Sequence, residues 1–238
     1  MTREIEANPD GINLLLLTWI AGTLDGLSYL RSHVFTANMT GNLVLLGIRV
    51  VQRDMANAAR LLIALVAFAV GCILAALLIS KREEQSGCLL TTGFATELIF
   101  LLVFAALFYL NQGSESFRDH CTLISVAAIA LAVQSVTVRR LKVSGVVTTF
   151  ITGTITTSMV GLVRIVLRQP ASPHSEEREE THVALLLGML TVYFVAVITA
   201  TLLIPKLSGA VAISPTLLLS VVLWRTRKLK YAAIDRGV

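Results

Sequence analysis

Along this chain apolar positions run together in long stretches, and polar positions gather between the stretches instead of alternating with them. Runs of about 20 apolar residues are what an α-helix needs to cross a hydrocarbon core of about 30 Å. Such runs lie at about 12–30, 58–80, 88–110, 121–138, 183–204 and 207–224, each bounded by charged or turn-forming residues. They predict six membrane spans. Two further stretches, about 38–51 and 150–168, are shorter or richer in Thr and Gly, and fit full spans, broken spans or re-entrant segments. The expected fold is all-α, a polytopic transmembrane helical bundle. One loop of any size is expected, Gln169–His182, with two prolines and a run of charge.

Composition supports that reading. Of 238 residues, 55% are hydrophobic and 15% charged, too little polar surface to coat a water-soluble globule. The net charge of +5 does not point to nucleic acid, because the basic residues sit at helix ends and form no groove with aromatic stacking platforms. The densest basic group, Arg225, Arg227, Lys228, Lys230 and Arg236, follows the last span, which predicts a cytoplasmic C-terminus by the positive-inside rule. An even number of crossings then places the N-terminus on the same side, in an inner (plasma) membrane. Counts of Lys and Arg do not separate six crossings from eight. Residues 12–30 read as a retained helix and not a signal peptide, since no basic segment precedes them and Asp25 lies within the run. Cys72, Cys88 and Cys121 are odd in number, lack metal-ligand spacing and read as packing residues.

An internal echo divides the chain. Residues 34–51 laid on 146–163 match at Val34, Thr36, Thr40, Gly41 and Val51. Each copy follows an apolar helix that holds a polar residue, Asp25 or Gln134, and ends in a base, Arg31 or Arg140. Each precedes two more apolar runs. Residues 1–112 and 113–238 therefore read as two related halves, each a helix, a Thr-Gly segment and two helices. Secondary transporters built from repeats place their sites where interrupted helices meet near the bilayer midplane. A glycine beside hydroxyl and amide side chains lets the backbone leave the helix, and the next half-helix then presents free N–H groups to a polar or anionic ligand. The alternative for the same residues is close helix packing, with Thr hydroxyls bonded back to their own helix.

Candidate binding residues follow from cost. A carboxylate inside an apolar span must face a partner or water, so Asp25 comes first and Glu97 second. For Asp25 the competing role is an ion pair between helices, with Arg31 or Arg140; for Glu97 it is snorkelling toward an interface. Gln134 reads mainly as an interhelical hydrogen-bonding residue. Thr36, Asn38, Thr40, Gly41 and Asn42 in the first half, and Thr148, Thr152, Gly153 and Thr154 in the second, complete the candidate solute or ion site. Arg139, Arg140 and Lys142 read as interface anchors or anionic-lipid contacts. Trp19 and Trp224 fit interface positions, and His33, His120, His174 and His182 lack the company of a metal site. No catalytic signature, phosphate loop or ATP-coupling domain is present, so neither an enzyme nor a cofactor is expected.

Gly22-Thr-Leu-Asp25 with Thr40-Gly41-Asn42, and Gln134 with Arg139-Arg140 and Thr148-Thr149-Phe150-Ile151-Thr152-Gly153-Thr154, resemble the YoaK family over nearly the whole chain. That family's pattern has Ala at Gly26, His at Asn38, Asn at Ser135 and Tyr at Phe150. The resemblance implies a multi-pass membrane protein and no particular chemistry. The functional expectation is therefore a small permease for a polar solute or ion, with a partner-binding membrane scaffold as the rival. A homodimer is compatible with either.

Overall fold

In the computed structural model, residues 11–80, 89–111, 113, 116–139, 151–167 and 176–235 are described. They form seven helices: α1 Gly11–Ser32, α2 Met39–Val51, α3 Met55–Ser80, α4 Leu89–Leu110, α5 Phe117–Arg139, α6 Ile151–Val166 and α7 Glu176–Asp235. Helix α7 contains Pro205 and Pro215 and is broken at Leu207, whose φ of −139° and ψ of 43° leave helical geometry. Proline removes an amide donor and crowds the preceding turn, which places a break here. Among the described residues, six helical stretches are long and apolar enough to span a bilayer: Gly11–Ser32, Met55–Ile79, Leu90–Leu110, Phe117–Arg139, Glu180–Leu207 and Gly209–Lys228. These are the six expected spans, longer at most ends. One boundary was misplaced: residues 176–182 of the expected loop begin α7. The run EEREETH consists mostly of good helix formers, and acids are favourable at a helix N-terminus, so charge alone does not make it a loop.

Side-chain contacts give the direction of each helix. Gly11 faces Leu185, Gly22 faces Tyr193 and Ala196, and Gly26 faces Val197 and Ala200, so α1 runs parallel to the first arm of α7. A Cβ at Gly22 would lie 2.8 Å from the Tyr193 carbonyl oxygen, so only glycine permits this approach. The second arm of α7 then returns, because Arg225 Nε donates to Asn13 Oδ1 at 3.1 Å near the start of α1. Helix α5 is antiparallel to α1, with His120 Nδ1 2.7 Å from Ser32 Oγ and Gln134 Nε2 donating to the Leu17 carbonyl at 3.1 Å. Helix α3 runs parallel to α5: Arg60 stacks over Phe117, and Gly71 meets Ile129 and Ala132. Helix α4 is antiparallel to α5, since Gly93 abuts Thr137 while Phe108 shares a cleft with Leu123.

Three spans thus run one way and three the other. Helices α2 and α6, of 13 and 16 residues, are shorter than these spans. At 13 residues α2 is about 20 Å long, short of the hydrocarbon thickness. It packs on α3, and α6 packs on α7. The core is the seam of α1, α4, α5 and both arms of α7, filled by Leu14, Leu17, Leu24, Phe94, Leu101, Leu131, Leu186 and Leu219.

Candidate functional site

The chain reverses sharply after α1. His33 adopts a φ of 55°, in the left-handed region, and its amide still bonds to the Tyr29 carbonyl at 2.8 Å. Tyr29 stacks on Phe35 with centroids 4.7 Å apart, which folds the following residues back along α1. The extended segment that results has amides with no helical partner, and lipid supplies none.

Asp25 supplies the acceptor. Its Oδ1 accepts from the Thr36 amide at 2.7 Å, the Ala37 amide at 2.7 Å and Thr36 Oγ1 at 3.1 Å. Its Oδ2 accepts from the Tyr193 hydroxyl at 2.7 Å. Asp25 lies seven residues before the end of α1, about 10 Å deeper than Ser32. The segment therefore descends to Asp25, and α2 climbs back to the end of the bundle where α3 begins. Of the alternatives open for residues 38–51, the geometry is the re-entrant one.

The remaining motif residues build this return. Asn42, the buried side chain of α2, closes a two-bond ring on Phe35, accepting from its amide at 2.9 Å and donating to its carbonyl at 2.6 Å. Asn38 caps α2, its Oδ1 accepting from the Gly41 amide at 3.0 Å. A Cβ at Gly41 would stand 3.0 Å from Asn38 Nδ2 and 3.2 Å from the Phe35 ring. Thr36 is fully buried, whereas Asn38 and Thr40 are exposed. Polar side chains thus stand open beside a buried, four-times-bonded carboxylate.

No ion pair with Arg31 forms. Its guanidinium donates to the Asn111 carbonyl and lies 4.9 Å over the Phe108 ring, at the end of α4. The cleft beside it, lined by Leu27, Ser28, Phe104 and Leu123 among others, leaves about 10 Å³ to the centre of a water, room for about one molecule. Arg140, the other expected partner, lies outside the described residues, as do Thr148, Lys142 and Cys88.

A family described as "Protein of unknown function (DUF1275)" matches residues 13–224, from the first span to the last. The chain belongs to that family. The UPF0700 transmembrane protein YoaK of Bacillus subtilis (strain 168) is 37% identical over 147 residues, 60% of this chain and 62% of that relative. The matched stretch covers less than two thirds of the relative's length. No solved structure matches. This DUF1275 chain is accordingly an integral, multi-pass membrane protein.

The other candidates do not join Asp25. Glu97 is fully buried on α4, and neither carboxyl oxygen has a hydrogen-bond partner among the described residues. It does not snorkel. Gln134 is fully buried and bridges α5 to α1 by donating to the Leu17 carbonyl. In α6, Thr152 and Gly153 are exposed and Thr154 is buried, with its carbonyl accepting from Ser158 Oγ at 2.7 Å. Arg139 is exposed at the end of α5. Outside the spans, Arg49 and Asp54 pair at 3.4 Å at the α2–α3 corner. The side chain and amide of Asn57 there hold the Asp54 carboxyl below its ordinary range, with Arg49 assisting. Among the described residues no group of three or more His, Cys, Asp or Glu is placed to hold a metal. The residue that sequence reasoning missed is Tyr193. Its signal was a hydroxylated aromatic in the middle of an apolar span, far from either interface.

Proposed function

We propose that this membrane protein is a small secondary transporter for a polar solute or ion, with its site at the mouth of the re-entrant segment. The observation that carries the reading is the exposure of Asn38 and Thr40 at the start of α2, close to the depth of Asp25. Polar groups at that depth are costly against lipid and are tolerated where they line a wet cavity. The first turn of α2 also directs its amides and the positive end of its dipole there, which suits an anionic or polar group. Asp25 shapes the site, and its carboxylate is committed to Thr36, Ala37 and Tyr193.

Two related halves, 1–112 and 113–238, are part of the proposal. Packing supports it: α1 lies along the first arm of α7 as α5 lies along α3, and α2 sits on α3 as α6 sits on α7. With three crossings in each half and opposite directions for α1 and α5, the repeat is inverted, the arrangement that lets one half rock against the other. We further propose that the protein lies in the inner membrane with its N- and C-termini cytoplasmic, on the basic cluster Arg225, Arg227 and Lys228.

One observation favours the scaffold reading. On α6, Gly153 has open space beside it and Thr152 and Thr156 are exposed, a small-residue face of the kind that packs against a second membrane helix. The test is a stabilisation screen of purified protein with ions and small metabolites, run on wild type and Thr40→Ala, followed by uptake of any hit into proteoliposomes. A ligand that wild type binds and carries, and that the variant binds more weakly, supports transport. A well-folded protein that binds nothing in a broad library, and a second copy or partner retained through the exposed face, supports the scaffold.

A further inference from the structure

We infer that Glu97 is a proton-binding site, carrying one proton while the seam between α4, α5 and the second arm of α7 is closed and releasing it when the seam opens. The carboxyl lies on the stripe of α4 that faces the core, with Phe94, Leu101 and Phe104 as its buried neighbours on that face. It is fully buried, and among the described residues neither oxygen has a hydrogen-bond donor. An ionised carboxylate so placed has no solvation at all, whereas the protonated acid loses far less on leaving water.

Its surroundings are closed by contacts a turn away on either side. Toward the N-terminus, Gly93 lies against Thr137 of α5; toward the C-terminus, the Leu101 carbonyl accepts from Thr216 Oγ1 of α7 at 3.3 Å. The antiparallel register of α4 and α5 sets Glu97 level with Val133 and Gln134. Gln134 in turn is tied to Leu17 of α1, about 12 Å in depth from Asp25 along that helix. The two buried acids therefore occupy different levels, and their tasks differ: Asp25 is consumed in holding the return segment, Glu97 holds nothing.

Among the described residues, no element packed on α4 places a counter-ion beside it. On α5 the titratable and charged groups, Arg118, Asp119, His120, Cys121 and Arg139, stand at the helix ends. On α7, Tyr193 is given to Asp25 and Arg225 to Asn13, while Glu180, His182, Lys206, Arg227 and Lys228 lie toward the ends of its arms. On α3, Arg60 stacks over Phe117, and Cys72 lies on the stretch that meets α5. Protonation is then the way this seam closes around an acid, and opening to water removes the constraint. That the proton moves with a solute rests on the transporter reading; that Glu97 carries it does not.

Infrared spectroscopy of the full chain in lipid nanodiscs tests the site in neutral buffer. Wild type should show a protonated-carboxyl stretch that Glu97→Gln removes and Glu97→Asp shifts. Because the shift alone assigns the band, the inference remains testable if the Gln variant fails to fold. A wild-type spectrum without the band, or a band unmoved by Glu97→Asp, overturns it. The band together with an absence of solute flux in proteoliposomes would remove the transporter reading and leave the proton site standing.

Discussion

Replacing Asp25 by Ala should do more harm than removing any one of its partners. The substitution deletes the acceptor of four hydrogen bonds and strands the Thr36 and Ala37 amides in a buried segment. A buried donor left without a partner costs about 1–3 kcal/mol, so the two amides together cost about 2–6 kcal/mol. Tyr193→Phe deletes one hydrogen bond and strands no amide; in membrane proteins such a bond is worth about 0.6 kcal/mol on average and about 1.7 at most. Asp25→Asn keeps an oxygen for the two amides and should fall near the Tyr193 variant. Equilibrium unfolding of the full chain in mixed micelles, read through Trp19 on the same helix as Asp25, ranks the three. Hydrogen exchange gives a local reading: the Thr36 and Ala37 amides should be protected in wild type and in Tyr193→Phe, and exchange freely in Asp25→Ala. Equal destabilisation by Asp25→Ala and Tyr193→Phe, with the amides still protected, would show that the carboxylate does not hold the segment.

Three further outcomes are expected. Gly71→Ala places a Cβ 2.7 Å from Ala132 Cβ and 2.9 Å from the Ile129 backbone and should cost about 1–3 kcal/mol, while Gly47→Ala, with open space around it, should be close to neutral; thermal unfolding of the pair checks this. Asn42→Ala removes both bonds to Phe35 and should raise proteolysis or cysteine labelling across 33–38 without unfolding the six spans. Asp54 titrates below its ordinary value of 3.8 in the folded state, so its contribution is complete above that value and fades as pH falls through the lower, folded one. The stability gap between wild type and Asp54→Asn should therefore narrow on acidification over that window, and a gap constant down to the acid limit would contradict the Asn57 contacts.

The spans were legible because length and hydrophobicity leave few alternatives for a run such as residues 58–80. The fate of residues 38–51 was not, since a mostly apolar helix of 13 residues suits a short span or a half-helix equally. What decides it is the pairing of Asp25 with Thr36 and Ala37, a choice that hydropathy does not encode. Within the motif Thr36 to Asn42 the division of labour was invisible: Thr36 and Asn42 turn inward to hold the segment, while Asn38 and Thr40 face out. Tyr193 stands 168 residues from Asp25, beyond any local pattern. The charged stretch that opens α7 misled for the opposite reason, because Glu and Arg signal solvent exposure and helix formation alike.

The bond between Asp25 and Tyr193 also fixes an order of events during synthesis. At about 5–20 residues per second, a ribosome needs about 8–34 s to make the 168 residues that separate them. Throughout that interval α1 lacks its parallel neighbour, the glycine seam at Gly22 and Gly26 is uncovered, and one oxygen of Asp25 has no donor. The helix made earliest among the six spans is thus finished by one of the last, and a nascent chain arrested before α7 would expose that seam to the machinery that retains or degrades unassembled membrane helices.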